Sequence, residues 1–254
     1  MTTTIERLPT DEQAGRAIRA LFDLHAMFLS ERGVMPDQPA ALLGYGWWSR
    51  AVRSAEAVRL LYGVGLDGEA APLTRNVIVH AVATVWLTIY PEQAVRTSLR
   101  DFQEKKPKLH TKAVEAGWDL ATVPVPVRPE GKRPDGWDEF REFEGMCGAV
   151  GSPSSYIAYW LESGFCHATG LSADAYLDRD DDGHASLVPN GTQRGVPLRG
   201  PANFAALASR SYGQFVGDRH LVAAVERIGK TAYLPMTFGD DVIVTEATAT
   251  AERE

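Results

Sequence analysis

PAALLGYGWWSRAVRSAEAVRLLYGVGLDGEAAPLTRNVIVHAVATVWLTI, residues 39–89, is the stretch on which the architecture turns. Its first half keeps a helical period through Leu42, Tyr45, Ala51, Ala55, Val58 and Leu61, which predicts a helix from about Pro39 to Tyr62. The glycines at 63, 65 and 68 end it. The second half, starting near Gly68, carries Leu73, Val77, His80, Thr84 and Leu87 on one stripe and Val79, Val82, Trp86 and Ile89 on another. A helix that is apolar most of the way round must be covered on most sides, so it belongs at the centre of a helical bundle.

Upstream, Thr10 with Gln13 three positions later is a capping-box start. Ile18, Leu21, Phe22, His25 and Phe28 then predict a helix over 11–31, ended by Arg32-Gly33. Downstream, Pro91 suits the first turn of PEQAVRTSLRDFQEKK, whose mixed charges read as a solvated face; Pro107 is expected to reset the chain and leave a short helix up to Gly117. ATVPVPVRPEGKRPDGW, residues 121–137, holds four prolines and two glycines and reads as a loop, a linker or a mobile lid. Trp137 to Gly148 reads as helix, and Ser152-Pro153 caps SPSSYIAYWLESGFCHATG, a helix expected to stop at Gly170. AYLDRDDDGHASLVP has the short apolar ends and Asp-Gly turn of a hairpin, and Asn203 to Lys230 predicts one long or two consecutive helices. The expected fold is an all-α multi-helix bundle of seven to nine helices with one small β-hairpin near residues 174–188. It is a single domain over 1–236 with the Pro-rich interruption at 121–137, followed by a loose tail over 237–254.

Composition agrees with a globular chain. Hydrophobic residues at 44% and charged residues at 23% exclude a largely disordered or fibrous protein. Lys and Arg number 26 against 33 Asp and Glu, a net charge of -7, so a nucleic acid would have to meet a local basic patch. Cys147 and Cys166 form no C-x-x-C pair and no zinc spacing, as expected in a reducing cytosol. No apolar run approaches ~18 residues, and MTTTIERLPTDEQ lacks a basic start before an apolar stretch. Neither membrane span nor signal peptide is expected, and the expected localisation is cytoplasmic.

Arg75-Asn76-Val77-Ile78-Val79-His80 is the first candidate for chemistry. Asn76 and His80 share a helix face, whereas the five steps from Arg75 to His80 turn the two side chains roughly 140° apart. One helix cannot clamp an atom between them; two facing copies of it can, each offering its Arg to the partner's His. An imidazole and a fixed guanidinium suffice for metal-free RNA cleavage, the first moving the 2′-hydroxyl proton and the second stabilising phosphorane charge.

RNVIVH resembles the R-x4-6-H motif of the HEPN superfamily, small helical bundles of which many are dimeric, metal-independent ribonucleases of toxin and defence systems. The resemblance implies Arg75 and His80 as the catalytic pair, Asn76 as orienter, single-stranded RNA as a partner and a homodimer. SAEAVRLLYGVGLDGEAAPLTRNVIVHAV followed later by YWLESGFCHATG is also similar to an uncharacterised bacterial all-helical family. There an Arg-bearing helix precedes one ending Tyr-x-x-x-Ser-x-x-x-His, and a Glu typically stands four places after the Arg; here that place holds Val79. The plainer alternative for RNVIVH is an Arg75–Glu56 ion pair with His80 as a core histidine.

Tyr159, Ser163 and His167, four apart, line one side of the later helix and read as a polar cluster or an activated nucleophile. With Glu56 and Arg75, and with Trp48, Tyr159 and Trp160 as walls, they make the second functional reading, a small-molecule-binding or biosynthetic pocket inside the bundle. A third is a non-enzymatic oligomeric interaction protein. Asp178 to Gly183 matches half a calcium loop, but Pro189 stands where the bidentate Glu belongs. Glu56, His80, Glu144 and His167 lack the paired Glu-x-x-His motifs of di-iron bundles, so no metal or cofactor is expected. Tyr45, Trp47 and Trp48 line a pocket, the core or an oligomer contact, and Cys166 reads as a buried thiol.

Overall fold

Thr10 and Gln13 close the first helix reciprocally. The Gln13 N–H donates to Thr10 Oγ1 at 3.2 Å and the Thr10 N–H to Gln13 Oε1 at 3.0 Å, satisfying donors that a helix start leaves unpaired. The computed structural model describes residues 8–32, 38–179, 183–188 and 197–237. Among these, ten α-helices and one two-stranded hairpin carry the chain. In order they are α1 (Asp11–Arg32), α2 (Pro39–Gly63), α3 (Ala71–Ile89), α4 (Pro91–Glu115), α5 (Trp137–Arg141), α6 (Phe143–Ala149) and α7 (Pro153–Cys166). Then come α8 (Gly170–Asp174), β1 (Leu177–Arg179), β2 (Ala185–Leu187), α9 (Arg199–Phe215) and α10 (Arg219–Ala232). The protein is an all-α bundle with a small antiparallel hairpin, Asp178 opposite Ser186. Residues beyond Thr237, where the loose tail is expected, and Asp180 to Asp182 of the calcium half-motif lie outside the described residues.

The helix count exceeds the expected seven to nine for identifiable reasons. Trp137 to Gly148 divides at Glu142, whose backbone is extended (φ -109, ψ 102). Nine residues are two and a half helical turns, so an unbroken helix would set Trp137 and Met146 on opposite faces; the break buries both. α7 stops at Cys166 rather than Gly170, because Thr169 and Ser172 form a reciprocal cap that opens α8. Ser152 makes no side-chain cap; its hydroxyl bonds Ser155 Oγ at 2.6 Å instead. Pro107 does not reset the chain, and α4 runs through it. An interior proline removes one i→i−4 bond, a loss that the flanking pairs Arg100–Glu104 and Lys112–Glu115 help to offset.

α3 is the central helix, packed against α2, α4, α6, α7 and α9. The start of α2 meets its end, with Gly44 close against Leu87 and Tyr212. Trp48, fully buried, donates from Nε1 to Ser209 Oγ at 2.9 Å and stacks on Tyr212 at 4.8 Å between ring centroids. His25 and Phe28 of α1 meet the same indole edge-on at 4.7 and 5.1 Å, so one aromatic cluster locks α1, α2 and α9. Gly136 precedes α5 as its N-cap, with a left-handed φ of 79, and a Cβ there would lie 3.2 Å from the Trp86 ring.

No residue from Phe102 to Gly136 is buried. The second half of α4 and the Pro-rich return form an arm outside the bundle. The return is tied to α4, with Arg100 donating to the carbonyls of Glu130 at 2.7 Å and Gly131 at 3.2 Å. No helix among the described residues is long and apolar enough to cross a membrane.

Candidate site between helices α3 and α7

Arg75 sits in the first turns of α3 on the side that faces α7. Its Nη2 donates to Tyr159 Oη at 2.8 Å, and its guanidinium carbon lies 4.8 Å from the Tyr159 ring centroid. Tyr159 is itself fixed by Phe143 of α6 at 4.5 Å and by Tyr156 at 6.2 Å. The other charged group here is Glu162, one helical turn beyond Tyr159. Burial pushes its carboxyl up to about 7, and Oε2 finds no partner among the described residues. Arg75 Nε is likewise buried without a partner. Cys166 follows four residues later, its Sγ–H donating to the Glu162 carbonyl at 3.1 Å. Burial raises the thiol; the nearby Arg75 opposes that shift and Glu162 reinforces it.

Arg75, Tyr159, Glu162 and Cys166 therefore share one polar seam between two helices. A carboxyl that titrates about neutrality can exchange a proton, and a guanidinium on the facing helix can hold an oxygen anion, with Cys166 feeling both groups. Glu162 and Cys166 were not among the expected site residues, although Glu162 is the one charged side chain in PSSYIAYWLESGFC. A single charge in an otherwise uncharged helix was the available signal.

Other expected members lie elsewhere. Glu56 does not pair with Arg75. It is buried and held bidentately by Arg59, at 2.7 Å to each oxygen, with Arg19 of α1 at 3.3 Å. Arg59 stands one turn away on the same helix, whereas Arg75 is turned to α7. His80 donates from Nδ1 to the Asn76 carbonyl at 2.8 Å, which settles its tautomer, and burial, with Arg50 adding, lowers its pKa. Ser163 spends its hydroxyl on the Tyr159 carbonyl at 2.7 Å. His167 lies past the end of α7 in extended backbone and is exposed, so Tyr159, Ser163 and His167 form no working row. Trp48 belongs to the core, and Trp160, 64% exposed, points outward. Neither walls the seam.

An open groove of about 510 Å³ lies between α1 and α2, lined by Asp11, Arg16, Arg19, Arg59, Tyr62 and Leu198. Its cations are engaged by carboxylates, Arg16 by Glu12, Arg19 by Asp23 and Arg59 by Glu56, which leaves little unspent charge for a ligand. Among the described residues no three His, Cys, Asp or Glu side chains gather in a set that could hold a metal ion. No family model, curated protein or solved structure matches the chain.

Proposed function

We propose that the α3/α7 seam is a small-molecule site that holds an anionic or carbonyl oxygen on Arg75 and moves a proton through Glu162. The observation that carries this reading is a pair of buried polar atoms without partners, Arg75 Nε and Glu162 Oε2, on facing helices. Such orphans cost stability, and a fold bears the cost where a ligand relieves it. Tyr159 Oη occupies one guanidinium nitrogen as an internal substitute for a ligand oxygen. Cys166 borders the same space with a thiol that burial keeps protonated.

The ribonuclease reading of RNVIVH draws less from the geometry. It asks two copies of α3 to face each other, yet α3 is covered by five other helices, and Arg75 and His80 are spent on different neighbours. Both readings meet one experiment. Wild type, Arg75→Ala, Glu162→Gln and His80→Ala are screened by thermal shift against small carboxylates, phosphates and carbonyl compounds, and in parallel incubated with single-stranded RNA in EDTA. The seam reading expects a stabilising compound whose effect disappears in Arg75→Ala and changes its pH dependence in Glu162→Gln. A panel with no stabilising compound, or one acting equally on Arg75→Ala, overturns it. RNA cleavage lost in His80→Ala by ~10²-fold or more restores the ribonuclease reading.

A further inference from the structure

A guanidinium presents its N–H bonds in one rigid plane, and the Nε–H lies parallel to one N–H of Nη2, so these two nitrogens form a single edge with donors side by side. On Arg75 that edge is half used. Nη2 donates to Tyr159 Oη at 2.8 Å, while Nε is buried without a partner. One phenolic oxygen thus meets an edge that can serve two. Glu56, the expected counter-ion, is held by Arg59 and Arg19, and no ion pair among the described residues includes Arg75.

The shape and charge of that edge select the ligand. Two parallel N–H bonds match two oxygens on one carbon, whereas a neutral carbonyl offers one oxygen and leaves a donor unpaired. One guanidinium balances one negative charge. A phosphate dianion would bring a second, and the seam's other members, Tyr159, Glu162 and Cys166, supply no second cation. We infer, building on the seam reading above, that the ligand is a carboxylate monoanion taken side-on by Arg75 Nε and Nη2, and that Tyr159 is the internal competitor it displaces from Nη2. Release of the hydroxyl leaves the ring seated, because Phe143 at 4.5 Å and Tyr156 at 6.2 Å hold the ring and not the oxygen, and the guanidinium carbon lies 4.8 Å from its centroid. The bond to Tyr159 then acts as a latch. Apparent affinity is reduced by the fraction of molecules in which Tyr159 keeps the nitrogen.

Wild type, Tyr159→Phe and Arg75→Lys, each checked for helicity by circular dichroism, are titrated by ligand-observed NMR with acetate against acetamide, benzoate against benzamide, and inorganic phosphate. A carboxylate is expected to bind at least ~10-fold more tightly than its amide, which keeps the shape and has one oxygen. Tyr159→Phe removes the competitor and keeps the ring, so it should bind that carboxylate about 5-fold more tightly than wild type, or better. Arg75→Lys keeps the charge and loses the paired donors, and should weaken binding by at least ~10-fold. If Arg75→Lys loses helicity, the amide and Tyr159→Phe comparisons decide by themselves. A Tyr159→Phe protein that binds no more tightly overturns the inference, and so does an Arg75→Lys protein that binds like wild type or phosphate that binds more tightly than either carboxylate. An amide that binds as well as its carboxylate, and does so through Arg75, leaves the seam reading standing and overturns the carboxylate assignment. No binding to wild type or to Tyr159→Phe overturns both.

Discussion

Half-buried Glu162 and buried His25 have titrations that pull stability in opposite directions. Glu162 keeps its proton to about 7 in the folded protein and releases it near 4.5 in the unfolded chain. The folded state then binds more protons between those values, so stability falls as pH rises through that window. Glu162→Gln should therefore match wild type near pH 4 and exceed it above pH 7, by up to about 3 kcal/mol in urea unfolding. A variant no more stable at about pH 8 would mean that the carboxylate is solvated. His25 is 3% exposed, bonded through Nε2 to Ser49 Oγ at 2.9 Å, and lowered by burial, with Arg53 adding, from 6.5 to about 4. Its contribution is fully present above about 6.5 and lost as pH falls through about 4, because the unfolded chain takes up the proton first. The two slopes oppose each other where they overlap. In Glu162→Gln the His25 slope should emerge, as an unfolding free energy that declines steadily from about pH 6.5 to about pH 4; a flat profile there would place His25 in contact with water.

Between elements, the docking of α3 on α7 runs through Arg75. With Glu56 served by Arg59 and Arg19, Arg75→Ala strands no buried carboxylate and loses one hydrogen bond and one cation–π contact to Tyr159. The expected cost is about 1–2 kcal/mol by chemical denaturation, against the 3–5 kcal/mol of a broken buried ion pair. In α4, Pro107→Ala restores a backbone donor without touching the core. Amide hydrogen exchange should slow across residues 103–111, and unchanged exchange there would show that the proline does not weaken the helix. Local spacing was legible in this case and still misleading. A proline is a strong local signal, but whether a helix ends at it depends on the pairs formed on either side of it.

At the scale of the whole molecule, the arm is peripheral to the core. Asp101 and Arg141 meet at 2.9 Å across its base, so residues 104–134 can be replaced by a short Gly-Ser turn without separating α4 from α5. The shortened protein is expected to keep its helical dichroism and cooperative melting; loss of the cooperative transition would show that the arm is part of the fold. What the sequence determined by itself was what depends on neighbours within a turn or two: the reciprocal cap of Thr10 and Gln13, the helices over 39–63 and 71–89, the hairpin, and the all-round apolarity that sends α3 to the centre. Only the tertiary structure decided which way Arg75 turns, that Glu162 Oε2 is buried without a partner, that Trp48 packs on Tyr212 while Trp160 faces solvent, and that α4 leaves Leu99, Phe102 and Leu109 exposed. Periodicity tells which residues of a helix share a face. The partner of that face is chosen by packing between residues far apart in the chain, where volume, charge and hydrogen bonding must be satisfied together.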